Sequence, residues 1–146
     1  LLRQGVAKPC VLELELTESH LMKDADGVID ILERIKAIGV KITVDDFGTG
    51  YSSLAYLKRF PLDNLKIDRA FVQNIIADPD DISITRAIIT MAHSLKLKVV
   101  AEGVETEGQL GLLIANYCDE VQGYYFSRPL PAKEVTTLLR EGRTLE

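Results

Sequence analysis

Short apolar runs alternate with amphipathic segments along the whole chain of 146 residues. The apolar runs have the length of buried strands, and we assign five of them: residues 11–16, 40–45, 64–67, 98–101 and 120–122. Helices are predicted over residues 24–38, 52–58, 70–76 and 81–95, after Thr106 and after Pro131. Because strands and helices alternate without a break, we expect an α/β fold with a parallel sheet and right-handed crossovers.

Each predicted helix carries apolar residues at helical spacing, and the longer ones are expected to cover the sheet with that face. These residues are Val28, Ile31, Leu32, Ile35 and Ile38; Leu54 and Leu57; Ile84, Ile88, Met91 and Leu95; and Val135, Leu138 and Leu139. Two helix ends carry their own signals. Gly39 has the position of a left-handed C-terminal cap, and Thr106 with Gln109 matches a capping box. The triplet at 78–80, Asp-Pro-Asp, is expected to break the preceding helix.

The number of strands limits the architecture. A closed eight-stranded α/β barrel typically needs about 250 residues, whereas this chain offers about five strands. The sequence therefore leaves two possibilities, an open α/β sheet or the C-terminal part of a barrel. We find no linker or low-complexity tract, so residues 1–146 are assigned to a single domain.

Composition excludes several classes of function. Hydrophobic residues make up 47% and charged residues 27% of the chain, as in a globular domain. A net charge of −5 without a basic run argues against binding of long nucleic acids, and no apolar run approaches the length of a membrane span. Cys10 and Cys118 lack metal-ligand spacing and are expected to be reduced thiols. His20 and His93 also lack such spacing and are expected at the surface or in packing.

Charged residues recur where the predicted strands end. Asp45 and Asp46 close one strand, and Glu15, Lys66 and Glu102 lie at the ends of three others. The carboxyl ends of parallel strands meet on one face, so these groups are expected to form one metal site there. Adjacent residues of a regular strand point to opposite faces. Both aspartates therefore reach one site only if the backbone turns, and we assign that turn to Gly48 and Gly50.

Each of these residues also has a simpler interpretation when it is taken alone. Adjacent acids are common in solvated turns, and a Lys or Glu at a strand end is often only solvent-exposed. Glu13 shares a face with Glu15 and competes with it for the same role. Glu105 precedes a helix, where an acid also stabilises the helix dipole. Gln122 would serve equally to pair with loop backbone, and Tyr124, Tyr125 and Phe126 fit a core or rim.

Five ordered segments resemble the EAL-domain family, whose members are cyclic di-GMP phosphodiesterases built on a modified TIM barrel. The segments are E-L-T-E-S at 15–19, D-D-F-G-T-G-Y-S-S-L at 45–54, L-K-I-D at 65–68, V-A-E-G-V-E-T at 100–106 and Q-G-Y-Y-F-S-R-P-L at 122–130. The resemblance runs over nearly the whole chain. It implies a (β/α) barrel of the TIM type, here an incomplete one of about five parallel strands with flanking helices.

The resemblance also implies roles for individual residues. Those matching the family's ligands for two divalent cations, Mg²⁺ or Mn²⁺, are Glu15, Asp45, Asp46 and Glu102. Lys66 matches the lysine that contacts the attacking water or the phosphate, while Glu105 and Gln122 match residues that support the ligands and orient that water. Glu18 matches the anchor of the loop after the Asp pair, which links substrate binding to dimerisation. That loop comprises Phe47, Gly48, Thr49, Gly50, Tyr51, Ser52 and Ser53, and Arg128 and Pro129 are weaker candidates for substrate contact.

One departure from the family pattern matters. The name-giving Glu-Ala-Leu motif and a ligand Asn lie on earlier strands of the family, and neither occurs here. Residues 1–146 are therefore interpreted as a partial EAL domain, expected to be weakly active or inactive by itself and to self-associate as a homodimer or by exchange of elements. Sensor or cyclase domains are expected upstream, the location is expected to be cytoplasmic, and no membrane contact is expected from this segment.

The implied reaction is hydrolysis of cyclic di-GMP to linear pGpG, with Ca²⁺ expected to bind without supporting turnover. The alternative is a catalytically silent receptor that binds cyclic di-GMP as a regulatory module. Retention of all the acids in the loop motif favours the enzyme. Proton abstraction of the enolase type also uses acids and a Lys at strand ends, and only the resemblance argues against it.

Overall fold

Five parallel strands form one sheet in the order in which they occur in the chain. The computed structural model describes residues 12–23, 25–50 and 54–142. The strands are β1 Glu13–Thr17, β2 Lys41–Phe47, β3 Asn64–Ile67, β4 Lys98–Glu102 and β5 Glu120–Gln122. The described part of the chain therefore confirms the predicted α/β class and all five strands, with bounds that differ by one or two residues.

The helices are α1 Glu18–Lys23, α2 Ala25–Ala37, α3 Leu54–Leu57, α4 Arg69–Gln73, α5 Pro79–Ser94, α6 Glu107–Ala115 and α7 Ala132–Glu141. Helices α1 to α6 connect successive strands, and α7 follows β5. Helix α1 was not predicted, because its six residues are too few to show a helical period. Among the described helices, none combines the length and the apolar character needed to cross a bilayer.

The central strands form the core. All four residues of β3 are buried, side chains from both faces of β2 are buried, and β4 buries Val99 and Ala101 on one face. A parallel strand that is covered on both sides has a nearly continuous apolar sequence. The central strands could therefore be predicted from their apolar runs. Each fully buried Leu or Ile contributes about 1.5–3 kcal/mol to folding, and the core includes Ile42, Leu65, Ile67, Val99 and Leu113.

Helix α5 packs most of its predicted face against the core, since Ile88 is buried and Met91 and Leu95 are partly buried against it. Its buried residues are Thr85, Ile88, Ile89 and Ala92, whereas Ile84 is exposed. The helix begins at Pro79, earlier than predicted, because Asp78 caps it and proline is favoured at the first helical position. The triplet at 78–80 therefore starts this helix.

Other apolar positions predicted to face inward are exposed. These are Ile31 on α2, Ile38 just after α2, Leu54 on α3, and Val135 and Leu139 on α7. Leu32 and Leu57 are buried as expected, and Leu138 is half-buried. Helix α7 buries no residue at all, because no described element covers its apolar face.

The predicted helix-end signals are confirmed. Gly39 is left-handed with φ 86°, and its N–H donates to the Lys36 carbonyl at 2.8 Å. Thr106 and Gln109 form the reciprocal capping box of α6. Cys118 is a half-buried free thiol, as predicted, while Cys10 lies outside the described residues.

Two aspartates tie the amino ends of the strands together. Asp63 Oδ2 accepts the Ile42 N–H at 2.8 Å, and Asp119 Oδ2 accepts the Val99 N–H at 2.8 Å. Asp119 Oδ2 also lies 2.8 Å from His93 Nε2. Burial would raise the pKa of Asp119, but these hydrogen bonds outweigh burial, and the pKa lies below its ordinary value.

Candidate metal centre and active site

Asp45 and Asp46 reach the same side of the sheet because β2 is irregular where they lie. The pairing register with β3 shifts between Val44 and Phe47, and Asp46 has a left-handed backbone with φ 55°. The Asp46 N–H donates to Asp45 Oδ1 at 3.0 Å. A bulge of this kind re-aims a side chain that regular alternation would turn away.

The turn was assigned to Gly48 and Gly50, and that assignment is half right. Gly48 is left-handed with φ 98°, but the first left-handed residue is Asp46 and the backbone of Gly50 is not of this type. Gly50 is restricted by space instead, since a Cβ there would lie 3.0 Å from Glu18 Oε1. A positive φ is uncommon for any residue other than glycine, and the residue pattern does not indicate that Asp46 adopts it.

Lys66 lies at the centre of the acids. Its side chain is only 5% exposed, and its Nζ lies 2.9 Å from Glu15 Oε1 and 3.5 Å from Asp45 Oδ1. It also forms an ion pair with Glu102. Burial alone would lower the pKa of Lys66, but hydrogen bonds to Glu102 and Glu15 outweigh burial and raise the pKa above its ordinary value. The surrounding acids therefore favour the positively charged form of Lys66.

Three carboxylates form a compact group that we call the acidic triplet: Asp45, Asp46 and Glu102. One oxygen from each lies within 4.8 Å of the other two, and all three residues are half-buried. Burial and the neighbouring charge of Asp45 raise the pKa of Asp46, as expected where like charges lack a compensating cation. An all-oxygen donor set of this kind fits hard divalent ions such as Mg²⁺, Mn²⁺ or Ca²⁺. The predicted ligand Glu15 is not part of the acidic triplet. Its carboxylate pairs with Lys66, whose ammonium also contacts Asp45.

Glu18 lies against the loop that follows the Asp pair. It is buried, and its Oε2 accepts the Gly48 N–H at 3.1 Å. Phe47 is packed into the core, and the Thr49 hydroxyl donates to the Asp46 carbonyl at 2.9 Å. This part of the loop is therefore fastened at both ends of the turn. Tyr51, Ser52 and Ser53 lie outside the described residues.

A cleft of about 200 Å³ opens beside the acidic triplet. It is lined by Arg69, Glu102, Gly103, Glu105, Gln122, Gly123 and Tyr124. Glu105 and Gln122 are both exposed on it. Only glycine fits at position 123, because the Val104 backbone packs closely against it. A Cβ there would lie 2.1 Å from the Val104 carbonyl oxygen. At the rim, the Arg128 guanidinium lies 4.9 Å from the centre of the Tyr124 ring, and Pro129 is exposed.

Two residues of the site were missed in the sequence. Asp68 contributes to the raised pKa of Asp46, and its side chain accepts the Ala70 N–H at 2.7 Å, which caps α4. Arg69 lines the cleft, and its Cβ lies 2.7 Å from where a Cβ on Gly103 would be. The sequence does place Asp68 directly after β3, as the last residue of the L-K-I-D segment at 65–68, and this position could have marked it as a site residue.

Comparison with known proteins identifies the class to which this fold and site belong. The model of the EAL domain family matches residues 1–129, and the chain belongs to that family. Its fold is thus of the TIM-barrel type, with five described parallel strands that do not close into a barrel.

Individual relatives are similar over most of this chain. It is 55% identical over 142 residues to the cyclic di-GMP phosphodiesterase NbdA of Pseudomonas aeruginosa. The matched region covers 97% of this chain and 18% of NbdA. It is 50% identical to the bifunctional diguanylate cyclase/cyclic di-GMP phosphodiesterase MucR of the same organism, over 92% of this chain and 20% of MucR. The chain thus spans about a fifth of the length of these relatives.

Solved structures show the same similarity. The MucR phosphodiesterase in complex with c-di-GMP superposes with a TM-score of 0.88 and 49% identity, covering 92% of this chain and 54% of that one. A manganese and cyclic di-GMP complex of Klebsiella pneumoniae BlrP1 superposes with a TM-score of 0.80 and 33% identity, covering 88% and 33%.

Proposed function

We propose that this chain carries the metal-binding centre of a phosphodiesterase that hydrolyses cyclic di-GMP to linear pGpG. The observation that carries the proposal is the acidic triplet, with its oxygens within 4.8 Å of one another beside the buried ammonium of Lys66. Relatives from the same family are named for cyclic di-GMP hydrolysis, which supports the same substrate here.

Glu15 and the acidic triplet would hold two divalent cations, Mg²⁺ or Mn²⁺. When bound, these ions supply the positive charge that activates water and stabilises the departing oxygen of a phosphodiester. Ca²⁺ shares the preference for oxygen ligands and is expected to bind without supporting turnover. The closeness of the three carboxylates supports this assignment, because a cation between them would relieve their mutual repulsion.

Lys66 is assigned to the phosphate. A general base must be able to accept a proton, and the acids around Lys66 raise its pKa and favour its charged form. Its N–H groups therefore donate to a phosphoryl oxygen and stabilise the charge that develops there. Contacts with Glu15 and Glu102 hold the ammonium in place before substrate arrives.

The neighbouring cleft is assigned to the nucleotide and to the attacking water. Glu105 and Gln122 face it on the side of Glu102, where they would orient the water. Arg128, held over the Tyr124 ring, and Pro129 would contact the nucleotide at the rim. Gly123 keeps the cleft open, because any side chain there would collide with the Val104 backbone.

Glu18 is assigned to the loop of residues 47–53. Its hydrogen bond to the Gly48 N–H ties that loop to the start of α1, next to the strand that carries Glu15. Substrate binding at the loop would thereby be linked to order in the metal site and to dimerisation. Ile31 of α2 and Ile38 just after it are exposed apolar side chains, and self-association would cover them. We further propose a cytoplasmic location and control by sensor or cyclase domains, as the bifunctional name of MucR suggests.

Turnover of cyclic di-GMP tests the proposal. The purified protein is incubated with the dinucleotide and Mg²⁺ or Mn²⁺, and products are separated by chromatography. We expect pGpG to appear with the divalent ion and not with EDTA, and Asp45→Asn to abolish it while Asp80→Asn, an exposed acid on α5, does not. Saturable binding of the dinucleotide without product would instead identify a receptor, and neither binding nor product would contradict the proposal.

A further inference from the structure

One carboxylate oxygen of Glu13 joins three neighbouring strands. Glu13 Oε1 accepts the Asn64 Nδ2 at 2.8 Å and also accepts the Thr43 hydroxyl. Thr43 is 0% and Asn64 5% exposed, so both donors are inside the protein. Buried donors of this kind need an acceptor, and Glu13 on β1 supplies it to β2 and β3 together.

This polar layer lies directly beneath the candidate active site. Glu13, Thr43 and Asn64 each precede by two positions a residue of the site on the same strand; those residues are Glu15, Asp45 and Lys66. Since side chains of a strand alternate between its faces, each pair points to the same side. In a barrel, residues of this kind stack in layers across the strands.

The contacts among Glu15, Asp45 and Lys66 depend on the relative position of the same three strands. Lys66 Nζ lies 2.9 Å from Glu15 Oε1 and 3.5 Å from Asp45 Oδ1, which joins β3 to β1 and β2. A shift of one strand along another would lengthen these contacts. Loss of the Glu13 acceptor would favour such a shift, because the Thr43 and Asn64 donors would then have to reach water or another partner.

We propose that Glu13 is a positioning residue that holds β1, β2 and β3 at the offset at which Glu15, Asp45 and Lys66 meet. The predicted effect of Glu13 on kcat rests on the proposed function. The predicted effect on Mn²⁺ affinity requires only that the acidic residues bind a divalent ion, and not that the protein hydrolyses cyclic di-GMP. Glu13 is exposed on the described surface, so truncating it removes hydrogen bonds without opening a cavity in the core. The part that matters is an acceptor oxygen, and glutamine also supplies one.

The test compares the Mn²⁺ dissociation constants of the purified wild-type protein, Glu13→Ala and Glu13→Gln, measured by calorimetry. Residues that orient metal ligands typically change metal affinity or activity by about 10–100-fold when they are replaced. We therefore expect Glu13→Ala to weaken Mn²⁺ binding by about tenfold or more, and Glu13→Gln to stay close to wild type. Glu120→Ala is the matched control, because it removes an equal charge from the exposed start of β5 and should leave the affinity unchanged.

Kinetics give a second measurement. Glu13→Ala is expected to lower kcat for cyclic di-GMP by about tenfold with little change in KM, and Glu13→Gln to restore it. If Glu13→Ala does not fold, Thr43→Val removes one donor at nearly constant volume and should still weaken Mn²⁺ binding.

Unchanged Mn²⁺ affinity in folded Glu13→Ala, or a Glu13→Gln defect equal to that of Glu13→Ala, would overturn the positioning role. Absence of turnover in the wild-type protein, with the Mn²⁺ series behaving as expected, would contradict only the proposed function.

Discussion

The Lys66 ammonium lies 2.9 Å from Glu15 Oε1, although β2 separates their strands in the sheet. The contact crosses the inner face of the sheet and also brings Lys66 to Asp45 and Glu102. One buried cation thus holds together carboxylates from three strands that would otherwise repel one another. The site is organised around a charge that the chain itself supplies.

Replacing Lys66 by methionine is predicted to separate catalysis from metal binding. The substitution keeps the length of the side chain but removes a positive charge from among the acids. Turnover of cyclic di-GMP should fall by about 10²–10³-fold, the range for loss of one preorganised donor. Mn²⁺ affinity should be equal to wild type or higher, because repulsion by the ammonium is removed. Lys98→Met, which removes an exposed cation paired with Glu120, is the matched control and should change neither quantity.

Gly123→Ala is predicted to destabilise the protein and to close the cleft. The new Cβ would lie 2.1 Å from the Val104 carbonyl oxygen, so the backbone on one side must move. Gly111→Ala on α6 is the control, because a Cβ there has no atom within 4 Å. Since alanine favours a helix over glycine by about 1 kcal/mol, Gly111→Ala should raise the free energy of unfolding measured in urea, whereas Gly123→Ala should lower it. Equal effects of the two substitutions would refute the close approach.

The contacts of Asp119 predict a loss of stability in acid. Its pKa in the folded protein lies below the ordinary value of 3.8, so the stability it contributes is present above that value and lost as the pH falls through the folded pKa. Unfolding free energies measured in urea between pH 6 and pH 3 should therefore decrease in wild type. Asp119→Asn should be less stable at pH 6, and its stability should decrease less below pH 4. The exposed Asp80→Asn should follow wild type, and an Asp119→Asn curve parallel to wild type would contradict the assignment.

Much of the fold was readable because buried parallel strands are nearly continuous apolar runs. The segments containing β3 and β5 were predicted with the observed bounds, and the charged residues at the ends of β2, β3 and β4 indicated where the site would form. The helix faces were less predictable. On α5, Ile88 and Met91 pack against the core as predicted, whereas Ile84 of the same apolar series is exposed and the polar Thr85 beside it is buried.

The local geometry of the site was not readable from the residue pattern. The left-handed backbone of Asp46 is maintained by its surroundings and has no sequence signal. Asp68, which follows β3, contributes to the raised pKa of Asp46 in β2, and spacing along the chain does not reveal that the two residues are neighbours. Glu13 and Glu15 were equivalent by alternation, and the structure distinguishes them by their partners. Glu13 accepts from Asn64, whereas Glu15 accepts from Lys66.

The most direct test of the account is calorimetric titration of Mn²⁺ into the purified protein and into a variant in which the acidic triplet is replaced by Asp45→Asn, Asp46→Asn and Glu102→Gln. A second variant, Asp80→Asn with Glu107→Gln and Glu134→Gln, removes the same number of exposed acids elsewhere. The account predicts saturable binding to wild type and to the second variant, and its loss from the triplet variant. Equal Mn²⁺ affinity in all three proteins, or no saturable binding to wild type, would contradict it.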